Sequence, residues 1–356
     1  LVKRRDGTVP ERAMRERSHL NARVLEELPM PSPAREIVAR DAHANIPFVT
    51  FTWSRDVHYA KALLGSIRHF YPDRRIIVVA ERDLPRHHAR QIATFPNAEV
   101  IPVMDLVRRH KLHFVGLLNK LNVLLLPDAP RAIVADADSI LVDKVADRVD
   151  AEKVFTAFTG STVDLEIPEQ RKIYHDWAIS LDHAWQFDEG FPRKVCRYVQ
   201  GCHFAVNTAR FPYDLLYRML PHLAFRHGDP APLRAGDQGF WNLLINWSGL
   251  QPEDCEALPV TMSSTASQAD LFKPEWNTVD WIERRESKEI SFVHYIGGGR
   301  RFRRRDHVCP TPLEWGTALY YEAIGRRAYV PDEIRRTLAP VMRRLNRMRS
   351  VRAGDG

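Results

Sequence analysis

Cysteine is scarce in this chain, and the four that occur, Cys196, Cys202, Cys255 and Cys309, form no CxxC pair and keep no regular spacing. That argues against a zinc ribbon or a disulfide scaffold and predicts reduced, structural thiols. No stretch of 18 apolar residues occurs, and the opening LVKRRDGTVPERAMRER lacks an apolar signal core. The expected location is therefore the cytoplasm, with the inner membrane face as a peripheral site. Internal repeats are also lacking, which leaves no sign of a repeat architecture.

What is present favours one large globular domain with extensions. A hydrophobic content of 44% over 356 residues is ample for a sizeable core, and eight Trp with sixteen Phe argue against disorder. Fifty-two Lys and Arg against forty-five Asp and Glu leave a charge of +7, which favours anionic partners such as phosphates, nucleotides, acidic lipids or nucleic acid.

The first 35 residues are basic and polar. Thr8-Val9-Pro10-Glu11 offers a capping box to a short amphipathic helix, and Pro29, Pro31 and Pro33 end it as a linker. From residue 46 apolar strands alternate with helical segments, the pattern of a parallel α/β sheet. Strands are expected at 46–53, 75–80, 99–103, 131–135, 154–158 and 204–207, with a final core strand at 290–295. Helices are expected at 56–70, 84–94, 112–126 and 236–247. Residues 167–198 read as a polar, aromatic-rich insertion over the acceptor side. Its Tyr174, Trp177, Trp185, Phe187 and Phe191 suit either a local core or stacking on sugars. In the tail, 334–352, Leu338, Val341, Met342, Leu345 and Met348 recur at helical spacing among arginines, interrupted by Pro340. Such a helix fits either the domain surface or an anionic lipid surface.

Two segments carry chemistry. The buried-strand pattern Ala132 to Ala135 runs into Asp136-Ala137-Asp138, and open α/β sheets bind ligands at the carboxyl ends of their strands. Paired carboxylates there suit Mn2+ or Mg2+ that also takes diphosphate oxygens, although carboxylates after a strand can simply cap the next helix. The second segment is His294-Tyr295-Ile296-Gly297-Gly298-Gly299-Arg300-Arg301. Its imidazole can complete a metal shell, its glycines expose N–H groups to phosphate, and its arginines add charge-assisted bonds.

The order of these elements resembles the retaining GT-A transferases of glycosyltransferase family 8, the glycogenin and galactosyltransferase type. The resemblance runs through Phe51-Thr52-Trp53 with Tyr59, through Asn119-Lys120-Leu121, and through Asp136-Ala137-Asp138. It continues with Gly201 to Asn207, Gly236-Asp237-Gln238, Pro274-Glu275-Trp276-Asn277 and His294-Tyr295-Ile296-Gly297. It covers about three quarters of the chain. Two departures are visible: Arg300 and Arg301 stand where relatives place a Lys, and Trp53-Ser54 stands where an acidic residue is common.

The resemblance implies an α/β fold of GT-A type, with a Rossmann-like, mostly parallel sheet flanked by helices and with helical N- and C-terminal extensions. The implied divisions are an extension at 1–45, a catalytic domain at 46–316 split at residue 150 into nucleotide and acceptor halves, and a basic tail at 317–356. Asp136, Asp138 and His294 would bind the metal. Phe51, Thr52, Trp53, Tyr59, Lys120, Asn207, Gly297, Gly299 and Arg300 would surround the donor. Asp237 and Gln238 would sit near the transferred sugar, with a helix N-cap as the other role for Asp237.

Expected partners are a nucleotide-sugar donor and a glycan, glycolipid or small hydroxyl acceptor, with no nucleic acid. A nucleotidyltransferase is the competing enzyme class, but Thr52-Trp53-Ser54-Arg55 is no glycine-rich phosphate loop. A nucleic-acid binder is the competing non-enzyme, but the arginine tracts lie outside the α/β pattern and no RRM, KH or zinc motif occurs.

Overall fold

Three short sequences, FVTFT, IIVVA and RAIVA, are apolar almost throughout, which suits strands covered on both faces. They form β1 (Phe48–Thr52), β2 (Ile76–Ala80) and β4 (Arg131–Ala135), and nearly every residue in them is buried. Beside β2 lies β3 (Ala98–Pro102), whose exposed residues and terminal proline suit an edge. The structure, a computed structural model, describes residues 46–110, 114, 116–150, 152–223, 233, 236–258, 261–264, 290–295 and 310–325.

Between these strands run α1 (Val57–Phe70), α2 (Arg86–Ala93) and α3 (Val103–His110). The first two were expected; α3 was not, because β3 passes into it with no intervening loop. The segment expected as an α-helix over 112–126 is instead a 3-10 helix, Gly116–Leu125. A run of that length is uncommon, and Asn122 helps to hold it. Its side-chain Oδ1 accepts the Phe114 N–H at 2.9 Å, and its Nδ2 donates to the carbonyls of Phe114 and Asn119, both at 2.8 Å. Side-chain bonds of this kind draw backbone away from the α pattern.

After β4 come β5 (Ser139–Leu141), β6 (Phe155–Ala157) and β7 (Gly160–Asp164). The expected insertion contains α4 (Pro168–Trp177), α5 (Leu181–Phe187) and β8 (Val195–Val199). Then follow β9 (His203–Asn207), α6 (Tyr213–Leu223), α7 (Asp237–Asn246), β10 (Cys255–Ala257), β11 (Thr261–Ser264), β12 (Ile290–His294) and α8 (Pro310–Ala323).

Seven strands make one sheet in the order β10-β6-β9-β4-β1-β2-β3. Pairing is parallel except at β9, which runs antiparallel to both β4 and β6. A second sheet has the order β11-β12-β5, so the expected core strand, β12, is buried in that small sheet. β7 and β8 form a separate pair.

Apolar cores lie on both faces of the central sheet. One gathers Val49, Val79, Val134, Phe155 and Trp241, the other Phe48, Ile76, Ile133, Phe292 and Tyr320. A fully buried side chain of this size contributes about 1.5–3 kcal/mol.

α8 lies against α1 with almost no gap. A Cβ on Gly65 would come within 2.1 Å of the Gly316 carbonyl oxygen, and one on Gly316 within 2.5 Å of the Ala62 oxygen. The expected boundary between residues 316 and 317 therefore falls inside a packed helix, which carries Tyr320 into the core. The expected helices, one between Thr8 and Pro29 and one at 334–352, and the Trp276-Asn277 element lie outside the described residues.

Candidate active site

The site is assembled by strand pairing. β4 ends at Ala135, and the chain turns through Asp136 to Asp138, with the Ser139 N–H donating to the Asp136 carbonyl at 3.1 Å. It then enters β5 in the second sheet. There β12 runs antiparallel to β5 with His294 opposite Ser139. The Tyr295 N–H closes the pairing on the Asp138 carbonyl at 2.8 Å. This return of the chain brings His294 to the two aspartates. Its Nε2 lies 3.1 Å from Asp138 Oδ1 and 3.4 Å from Asp136 Oδ2.

Lys120 reaches the same place from the 3-10 helix. Its Nζ donates to the Gly201 carbonyl at 2.6 Å and pairs with Asp136 Oδ1 at 2.8 Å. Asp237, at the first turn of α7, completes the pair on the other side, with Oδ2 at 3.2 Å from the same ammonium. That contact is an ion pair without hydrogen-bond alignment. Gly201 allows the close approach, since a Cβ there would stand 2.9 Å from Gln238 Cα.

The charges are strongly interdependent. Burial opposes ionisation of Asp136, but the Lys120 ammonium, with His294 behind it, holds its pKa below the usual carboxylate value. Burial pushes Asp237 the other way, up to about 6, against the pull of Lys120. Lys120 itself stays firmly protonated, because Asp136 and Asp237 outweigh its desolvation. His294 is raised well above the usual imidazole value despite burial, by Cys202 and Asp138 against its ring.

Other expected residues fall in different places. Phe51 and Tyr59 are buried in the cores and Thr52 is buried in the sheet, while Trp53 is half-buried just past the end of β1. Tyr59 packs on Tyr295, ring centroids 5.8 Å apart. Gln238 sits beside Asp237, and its Nε2 donates to the Trp177 carbonyl at 2.6 Å and the Tyr198 hydroxyl at 2.9 Å. Trp177 is 61% exposed there, whereas Tyr174 and Phe191 belong to the core and Trp185 and Phe187 pack against it.

Asn207 is not at this edge. β9 is antiparallel, so Asn207 pairs with Arg131 at the start of β4, and its Oδ1 accepts the Arg210 N–H at 3.3 Å. Four residues of strand put it about 13 Å from the beginning of β9. Gly297, Gly299 and Arg300 lie outside the described residues.

The beginning of β9 holds what the sequence reading missed. The Cys202 carbonyl accepts the Asp136 N–H at 3.1 Å, and the Cys202 thiol lies in the site with Asp136 and His294, their ligand atoms all within 4.8 Å of one another. His203 stacks on Phe292, centroids 4.1 Å apart, and its Nε2 is in hydrogen-bond contact with Ser139 Oγ at 2.7 Å. Burial, with His294 adding to it, holds His203 well below the usual imidazole value, so it remains neutral. Asp56, at the start of α1, is pushed up to about 6 by burial and then by the charges of Asp138 and Asp136. The available signal was direction: once β9 opposes β4, its first residues must face the Asp136 turn.

Carboxylate, imidazole and thiol donors converging on one point form a set that fits a divalent cation. Asp136, His294 and Cys202 would hold it, with Asp138 beside His294.

No family model and no curated protein matches the sequence. Solved structures do match in fold. The galactosyltransferase LgtC, in complex with donor and acceptor sugar analogs, aligns over 82% of this chain and 99% of its own at 14% identity, with a TM-score of 0.46. Mouse xyloside xylosyltransferase 1, in its apo form, aligns over 72% of this chain and 99% of its own at 13% identity and a TM-score of 0.42. The bifunctional glycosyltransferase WbbM aligns over 85% of this chain and 52% of its own at 13% identity and a TM-score of 0.50. This chain thus spans about half the length of WbbM. With its mostly parallel seven-stranded sheet flanked by helices and the match to WbbM, the chain has the fold of the GT-A glycosyltransferases.

Proposed function

We propose that this chain is a metal-dependent glycosyltransferase. It moves a hexose from a nucleotide-diphosphate sugar to a glycan, a glycolipid or a small hydroxyl acceptor, with retention at the anomeric carbon. UDP is the favoured nucleotide and GDP the alternative. The observation that carries this reading is the meeting of Asp136, Asp138 and His294 beside Lys120 at one edge of a GT-A sheet.

A Mn2+ or Mg2+ ion bound there supplies charge neutralisation for the departing diphosphate. Asp136 and Asp138 provide hard oxygen ligands, and His294 provides a nitrogen. Lys120 is kept cationic by its two carboxylate partners and approaches the donor phosphates or sugar. Asp237 and Gln238 orient the sugar and the incoming hydroxyl. Gln238 is held by Trp177 and Tyr198, and the exposed Trp177 indole offers an apolar face to a sugar ring. Attack on the face from which the nucleotide leaves requires no strong protein base, which suits a site whose Asp237 is tied to an ammonium.

The test is a hydrolysis screen of UDP- and GDP-sugars with Mn2+ present and absent. Cation-dependent turnover that Asp138→Ala lowers at least a hundredfold is expected. If no sugar nucleotide binds or turns over, or if Asp138→Ala is as active as the wild type, the proposal is wrong.

A further inference from the structure

We infer that Cys202 is itself a ligand of the cation at this site, and that its thiolate makes the site prefer Zn2+ or Co2+ to Mg2+. The inference rests on the metal-dependent reading above and specifies the ion chemistry of the same site.

Position is the first ground. The Cys202 sulfur, an Asp136 oxygen and a His294 nitrogen lie within 4.8 Å of one another. Metal–ligand bonds of 2.0–2.3 Å place ligand atoms about 3.3–3.8 Å apart around a tetrahedral ion. A pair at that limit would have to close by about 1–1.5 Å. The backbone already fixes the three residues relative to one another: Cys202 accepts the Asp136 N–H, and His294 is registered to Ser139.

Environment is the second. Cys196 and Cys255 are buried, where a thiol behaves as a small hydrophobe. Cys202 is only partly covered and sits in the turn before β9, near the Asp136 carboxylate. Meanwhile His294, itself 5% exposed, turns Nε2 toward both aspartates at 3.1 and 3.4 Å, a spacing that a shared cation would replace.

The donor set decides the ion. Mg2+ favours six oxygens and gives up water reluctantly, whereas sulfur and imidazole favour Zn2+ and Co2+. On binding, the Cys202 S–H and the His294 Nε2–H bonds break, the thiolate and the neutral imidazole take the metal, and both protons leave to solvent. Asp138, whose Oδ1 lies against the same Nε2, then serves as a further oxygen donor.

The experiment uses the reduced full-length chain, with UDP present and absent. Co2+ titration of the wild type should give near-ultraviolet thiolate-to-cobalt charge-transfer absorption that Cys202→Ser lacks. Competition calorimetry should show that Cys202→Ser loses about tenfold or more in Zn2+ affinity while Mg2+ affinity changes less than twofold. A readout that needs no variant is iodoacetamide labelling of Cys202, followed by mass spectrometry: Zn2+ should slow it and Mg2+ should not.

The inference is overturned if Co2+ fails to bind, if it binds without the absorption, if both proteins hold Zn2+ equally, or if Zn2+ leaves Cys202 labelling unchanged. Any of these, with Asp138→Ala still abolishing sugar-nucleotide turnover, removes the thiol ligand and leaves the transferase reading standing. The full set of cobalt, zinc and labelling results without sugar-nucleotide turnover does the reverse.

Discussion

Lys120 and Asp237 form an ion pair at 3.2 Å, joining the 3-10 helix to the first turn of α7, and the same ammonium reaches Asp136 at 2.8 Å. Removing one partner of a buried pair strands the other charge, at a cost of about 3–5 kcal/mol. Lys120→Ala should therefore lower the urea midpoint markedly. Adding Asp237→Asn should recover part of the loss, which a double-mutant cycle would read as coupling. Equal stability of Lys120→Ala and wild type would contradict the pairing.

Asp237 titrates at about 6. As pH falls through that value its carboxylate takes a proton and the ion pair with Lys120 weakens, so transfer should decline below pH 6. Asp237→Asn should be slower by about 10–100-fold, the usual loss for a group that orients a metal site from outside it, and should lose that acid limb. A variant with an unchanged pH profile would remove Asp237 from the reaction.

Asp56 gives a stability effect of known sign. Its pKa rises from 3.8 unfolded to about 6 folded, so its contribution is fully present below 3.8 and is lost as pH rises through about 6. Asp56→Asn should thus raise the Tm at pH 7.5 by a few degrees and change it little at pH 3.8. The Asp56 side chain makes no capping bond to α1, so Asn sacrifices none. A divalent cation that neutralises Asp136 and Asp138 should shrink the difference. A lower Tm for the variant at pH 7.5 would refute the account from burial and like charge.

Gly65→Ala tests the contact between α1 and α8. The added methyl would overlap the Gly316 carbonyl, and such overpacking costs about 1–3 kcal/mol. Ala is otherwise the better helix former by about 1 kcal/mol, so thermal melting that shows stabilisation would mean that the two helices separate freely.

Much of the fold was legible because the central strands are covered on both faces and so read as unbroken apolar runs. IIVVA and RAIVA could hardly be anything else. Where expectation failed, the deciding force was not local. The run 112–126 has a helical apolar pattern, but Asn122 bonds to Phe114 and tightens it into a 3-10 helix. Strand direction has no local signature either. Asn207 was expected near the donor from the resemblance alone; β9 runs antiparallel to β4, so it is Cys202 and His203 that meet the Asp136 turn. The Asp136, Asp138 and His294 group was legible from order along the chain, whereas the thiol beside it required the pairing of two strands.

The close seat of α8 on α1 has a consequence for biosynthesis. α1 follows the first strand of the central sheet, yet the surface that covers its Gly65 face comes from residues 310–323. On the ribosome, that face of the nascent helix is left uncovered until the chain has grown beyond residue 323. Until then the early βα unit presents apolar surface of the kind that chaperones engage during slow, long-range folding.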